Sequence, residues 1–137
     1  MSAAVMVLAI AGVWLLLGSP FSASEKDTSR TQMSENKLYN VVIRPELDPI
    51  ALNQIHNWIV QVTTKEGQPL ENAQISVSGD MPEHEHGLPS APGMTEALGN
   101  GEYQLDGFKF TMPGWWVVEI SITANNQTDI ARFNLIL

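Results

Sequence analysis

Cysteine is absent from this chain of 137 residues. Its absence excludes disulfide frameworks, Cys-based zinc sites, cysteine nucleophiles and lipid attachment through an N-terminal Cys. Positive charge is scarce: 7 Lys and Arg stand against 15 Asp and Glu, for a net charge of −8. A nucleic-acid binder needs a basic stripe to neutralise phosphates, so nucleic acid is not an expected partner. The familiar catalytic signatures are missing too. There is no Gly-x-Ser-x-Gly, no His-Glu-x-x-His, no phosphate-binding Gly-rich loop and no carboxylate pair framed by a pocket signal. The expectation is a protein that is not an enzyme. Apolar residues make up 44% of the chain, enough for one packed domain and too many for wholesale disorder.

Only one long hydrophobic run is present. Ala3 to Leu17 (AAVMVLAIAGVWLLL) carries no charge, and Gly18, Ser19 and Pro20 then break it. Phe21 and the small residues Ser22, Ala23 and Ser24 come next. This is the length of a signal-peptide core with its cleavage region, and it falls short of the ~20 apolar residues of a spanning helix. Residues 1–24 therefore read as a signal peptide or an N-terminal membrane anchor, in either case an N-terminal hydrophobic helix. Both readings export the remainder of the chain. Residues 25–37 (EKDTSRTQMSENK) are polar, without a periodic apolar face, and read as a flexible tether.

Residues 38–137 show alternation and turn signals rather than helical periodicity. Expected strands are Leu38 to Arg44, His56 to Thr64, Ala73 to Ser78, Glu102 to Leu105, Phe108 to Met112, Trp115 to Thr123 and Thr128 to Leu137. Gly79 to Ala97, with three prolines and two interior glycines, reads as irregular. About seven strands in ~100 residues favour an all-β, immunoglobulin-like antiparallel β-sandwich with almost no helix.

One stretch carries chemistry. Met81-Pro82-Glu83-His84-Glu85-His86-Gly87 holds two of the three histidines. His-x-His can chelate one cation through imidazole nitrogens, and the thioether of Met81 lies beside it. Thioether sulfur is a poor zinc ligand and a good Cu(I) ligand, so His plus Met without Cys leans toward copper. The assumed strand directions bring His56, Met81, His84, His86 and Met112 to one pole of the sandwich, with Met94 within reach through the long loop. Each also has a structural reading. The His-x-His turn can be a solvated loop, His56 shares a strand face with Trp58 and Val60, and Met112 follows Phe110 at core spacing. Calcium is a poor match, because the acidic residues here do not have the spacing of an EF-hand loop.

Four motifs taken together resemble one family. They are Asn53-Gln54-Ile55-His56-Asn57-Trp58, Met81 to Pro89, Gly101-Glu102-Tyr103, and Phe110-Thr111-Met112-Pro113-Gly114-Trp115-Trp116. They resemble the YtkA-like family, related to FixH-like exported domains, across Leu38 to Leu137. The resemblance implies an immunoglobulin-like sandwich, secreted or tethered to the outer face of the inner membrane. FixH-like members are associated with assembly of a copper-containing cytochrome oxidase. The apolar run here is shorter than the spanning helix FixH-like proteins carry. The resulting expectation is a copper-binding or copper-handling domain with His84, His86, Met81, Met112 and His56 as metal ligands. The alternative is a non-metal interaction module that docks on a membrane protein complex through its Trp-rich end.

Overall fold

The computed structural model describes residues 25–137, so the signal or anchor expected over residues 1–24 lies outside the described residues. The described chain is all-β, with no helix. Its strands are β1 (Thr31–Met33), β2 (Tyr39–Pro45), β3 (His56–Thr64), β4 (Gln74–Met81), β5 (His86–Gly87), β6 (Gly93–Gly99), β7 (Glu102–Phe108), β8 (Trp115–Ala124) and β9 (Gln127–Ile136).

The three longest strands follow the two-residue period of a half-buried surface. In β8, Trp116, Val118, Ile120 and Ile122 are fully buried while Trp115, Val117, Glu119 and Ser121 alternate outward. In β3, Trp58, Val60 and Val62 point inward. In β9, Ala131, Phe133 and Leu135 do the same. Asn125 and Asn126, both at positive φ, form the two-residue turn between β8 and β9. Asparagine tolerates that left-handed backbone better than most side chains.

All pairings are antiparallel, in the order β1-β2-β3-β7-β6-β4-β8-β9, with β5 on β4. One residue pair, Ser76 with Gly93, joins β6 to β4. At the other end of the path the two edges approach each other. The Glu35 N–H donates to the Ile130 carbonyl at 2.9 Å. Asp129, only 2% exposed, clamps the same junction. Its carboxylate accepts from the Asn36 N–H at 3.0 Å, the Asn36 side-chain amide at 3.1 Å, the Ile130 N–H at 3.0 Å and the Leu38 N–H at 3.4 Å. Burial pushes this carboxyl up. Hydrogen bonds from Ser34, Ile130, Leu38 and Asn36 outweigh that and hold it below the ordinary aspartate value. Tyr39 nearby is pushed up by burial and by the Asp129 charge. The result is a nearly closed antiparallel sheet around one core.

The core is aromatic at one end. Trp58 stacks on Phe108 with ring centroids 4.0 Å apart, and Phe110 meets Trp116 edge-on at 5.2 Å. Toward the other end, the Tyr103 hydroxyl donates to the Leu70 carbonyl at 2.6 Å and accepts from the Ala73 N–H at 3.0 Å. This pins the approach to β4.

The strand count differs from expectation in three places. Phe108 to Met112 is not a separate strand. β7 ends at Phe108, and residues 109–114 form an irregular connection into β8. Phe108 and Phe110 alternate as strand residues would, but both serve as core plugs. The stretch read as irregular, Gly79 to Ala97, contains the end of β4, all of β5 and most of β6. The stretch read as a tether contributes β1, where Thr31 pairs with Val42 and Met33 with Asn40.

Candidate metal site at one pole

Five chain segments end at the same pole. They are the loop from β2 to β3, the start of β3, the hairpin between β4 and β5, the connection 109–114, and the end of β9 beside the start of β8. Every residue expected to ligate metal lies on one of them.

The β4–β5 hairpin is built locally. Met81 pairs with His86, and residues 82–85 make the turn. The Met81 carbonyl accepts from the N–H groups of His84 and Glu85, both at 3.0 Å. Glu85 takes a positive φ of 53° to close the turn, and Pro82 at its start suits the bend. Side chains of a registered pair leave the ladder on one face, so the Met81 thioether and the His86 imidazole project from the same side. They differ in access: Met81 is fully buried, while His84 and His86 are exposed. Asp80, Glu83 and Glu85 are exposed around them. Asp80 and Glu119 also flank a shallow depression of about 140 Å³ on the outer face of β4 and β8. The local field is negative and attracts cations.

Gly114, at the end of the 109–114 connection, packs against Met81. A Cβ added to Gly114, whose φ is +127°, would lie 3.0 Å from the Met81 methyl. Glycine at this position lets the connection pass directly over the thioether. Met112 in the same connection is half-buried against the core, and its carbonyl accepts from the Trp116 indole N–H at 3.0 Å. Met94 sits on β6, paired with Leu105 and packed on the core rather than carried on a loop.

His56 occupies this pole but is held differently. It is 2% exposed and opens β3 at a bulge, where the register shifts between His56 and Trp58. Its Nε2 takes the Trp58 indole N–H at 2.9 Å, and its Nδ1 lies 3.1 Å from the Gln54 carbonyl. An indole N–H can only donate and a carbonyl can only accept. The hydrogen-bond logic therefore assigns an unprotonated Nε2 and a protonated Nδ1. Both nitrogens are committed, so His56 could bind metal only by releasing Trp58. It acts on the pole as a positioning residue, with Phe108 and Phe110 packed around its ring. The residue that holds it, Trp58, was absent from the expected site. The readable signal is their i, i+2 spacing, which places both on one strand face.

Among the described residues, no three His, Asp or Glu side chains gather as a metal cage would require. A cation held at His84 and His86 would have to complete its coordination with thioether sulfur or with ligands from outside.

A family model described as YtkA-like matches residues 33–121, a span that includes His56, Met81, His84, His86 and Met112. No curated protein and no solved structure matches the chain.

Proposed function

The chain belongs to the YtkA-like family, and from that premise we propose that it is an exported copper-binding or copper-handling domain rather than an enzyme. It acts in the periplasm or on the outer face of the inner membrane, and its cargo serves assembly of a copper metalloenzyme such as an oxidase. His84 and His86 are the primary ligands. Met81 and Met112 are soft donors that favour Cu(I), and His56 holds the pole from outside the ligand set. The observation that carries this reading is the registered Met81–His86 pair, with Gly114 of the connection that bears Met112 against the same Met81 side chain. Imidazole and thioether donors carried on one hairpin, in a chain without cysteine, suit copper better than zinc. An exposed histidine pair in front of a buried sulfur suits exchange with a partner rather than permanent storage.

The architecture we propose is an immunoglobulin-like sandwich, with β2-β3-β7-β6 as one layer and β4-β8-β9 as the other. Two observations support it. The only strand ladder between the layers among the described residues is the single pair Ser76–Gly93. Their strand order is also that of a constant-type domain, four strands against three.

Cu(I) titration against a chromogenic competitor tests the copper reading. The wild-type chain should bind stoichiometrically and the double variant His84→Ala/His86→Ala should not. Equal binding by the two proteins would end the proposal. A second reading, a docking module without metal, is favoured by Trp115. That ring points outward at the pole, with its indole N–H on the Asn134 side-chain oxygen at 2.9 Å. Under that reading, Trp115→Ala would release a membrane complex while copper had no effect.

A further inference from the structure

The pole that bears the histidines is also where exposed apolar side chains collect. Ile55 is 65% exposed, Ile136 59% and Leu52 36%. Leu52 and Ile55 lie in the β2–β3 loop, held to the pole by the Asn53 N–H on the Phe110 carbonyl at 2.7 Å. Ile136 pairs with Trp115. An open groove of about 490 Å³, lined by Ile50, Ile136 and Leu137 with Arg30 and Asp48, runs between that loop and the end of β9. Met33 and Leu98, the other large apolar side chains exposed among the described residues, sit singly on β1 and β6, away from this cluster. The far pole presents polar turns: Lys65-Glu66-Gly67-Gln68, Gly99-Asn100-Gly101 and Asn125-Asn126.

We propose that the pole carrying Leu52, Ile55, Trp115 and Ile136 seats on a lipid bilayer surface, so that His84, His86 and Met112 work at the membrane face.

The start of the described chain supports this occupant. Residues 25–30 start at this pole and run alongside β9 away from it: Asn134 donates its side-chain amide to the Asp27 carbonyl at 2.9 Å, and the Lys26 ammonium lies 4.1 Å from the Trp115 ring centroid. Only seven residues, 18–24, separate Leu17, the end of the apolar run, from Glu25. Even fully extended, the eight steps between Leu17 and Glu25 cover no more than about 28 Å. With that segment retained as an anchor, the pole stays within this reach of the one stretch of the sequence with bilayer-like hydropathy. A tryptophan with a lysine over its face, beside exposed isoleucines, is the composition favoured at the water–hydrocarbon boundary. Charge does not drive the contact. Arg30 is paired with Asp48, and Lys26 and Lys109 are outnumbered at this pole by Glu25, Asp27, Glu46, Asp80, Glu83 and Glu85, so the seat is apolar and gains nothing from salt-screened attraction.

The seat does not depend on metal, and neither does its test. The native chain has no cysteine, so single cysteines take a fluorescent label without background. Ile55→Cys and Ile136→Cys report the proposed seat, and Glu66→Cys and Asn125→Cys report the far pole. All four positions are exposed, so the labels leave the core untouched. The full-length chain is placed in phosphatidylcholine vesicles with brominated acyl chains. The expected result is blue-shifted emission lost to bromine quenching at 55 and 136, neither effect at 66 and 125, and no change at high salt. Water-like emission at all four positions overturns the proposal, as does equal quenching at all four. Shielding of 55 and 136 that persists without lipid also overturns it, because it assigns the surface to a second copy of the chain.

Discussion

Asp129 offers the sharpest test of how the sheet closes. Its carboxylate joins the 34–38 turn to β9, and Asp129→Asn keeps its shape while changing its chemistry. Oδ1 faces the Asn36 side-chain amide and the Ile130 N–H, and Oδ2 faces the N–H groups of Asn36 and Leu38. An asparagine can keep its carbonyl on one of these sides only. On the other, its NH₂ confronts donors. Two charge-assisted bonds are lost, each worth roughly 1.5–3 kcal/mol. Glu35, Asn36 and Lys37 are exposed, so part of the loss is recovered by water, and the expected net cost is about 2–3 kcal/mol. For a domain of this size that is a fall of roughly 10 °C in Tm. The effect carries its own pH signature. The folded-state pKa lies below the unfolded value, so the stabilisation is fully present above about pH 4 and disappears as pH falls through the lower folded value. Thermal melts of wild type and variant should therefore differ by roughly 10 °C at pH 7, with a smaller gap at a pH below about 4. A gap of the same size at both pH values, or no gap at neutral pH, would refute the account of Asp129 as an ionised clamp.

Three further substitutions probe the pole and the core. Gly101→Ala should cost more than about 3 kcal/mol in urea unfolding, because the backbone has φ +74° and the new methyl would meet the Val62 carbonyl oxygen at 2.4 Å; a loss below about 1 kcal/mol would contradict that contact. His56→Leu strands the Trp58 indole N–H in the interior. It should lower stability by about 1–3 kcal/mol and speed hydrogen exchange at that indole, while an unchanged exchange rate would show the bond to be unimportant. Met81→Leu roughly preserves volume, so it should cost less than about 1.5 kcal/mol. It removes the sulfur, and Cu(I) affinity should fall while Tm hardly moves. A drop in Tm with no change in copper binding would make Met81 core filler only.

Strands that bury a face declare themselves in the sequence, and those that do not are silent. WWVVEISIT in β8 and HNWIVQVTT in β3 alternate because every second side chain enters the core. β6 has no such pattern: from Thr95 to Gly99 every residue is exposed, and its ladder on β7 carries two register shifts. It is held by backbone hydrogen bonds, which leave no hydrophobic signature. β1 and β5 are short edge pieces of the same kind. Phe110 misleads in the opposite direction: two residues beyond Phe108, the last residue of β7, it keeps the strand spacing where the chain has left the sheet and only plugs the core. At the candidate site, the shared pole follows from strand direction alone and is legible. The capture of His56 by Trp58 depends on a bulge, and the closure over Met81 depends on Gly114. Both are backbone events that no side-chain pattern announces.

Two glycines explain why the histidine hairpin and the methionine connection can meet at all. A side chain at Gly79 would lie 2.9 Å from a Leu88 methyl, and one at Gly114 would press on the Met81 methyl. Without Cβ atoms there, the hairpin folds flat against β4 and the 109–114 connection drops onto Met81. This close approach buries the thioether, so packing and ligand convergence ask for the same geometry and cannot be told apart from shape. They differ in kinetics. If Met81 is a donor, metal must loosen the hairpin to reach the sulfur, and Cu(I) uptake should be slower than Cu(II) capture by the exposed His84 and His86. If Met81 is filler, the two rates follow the histidines alone. The rates separate because only one reading requires the turn at 82–85 to open.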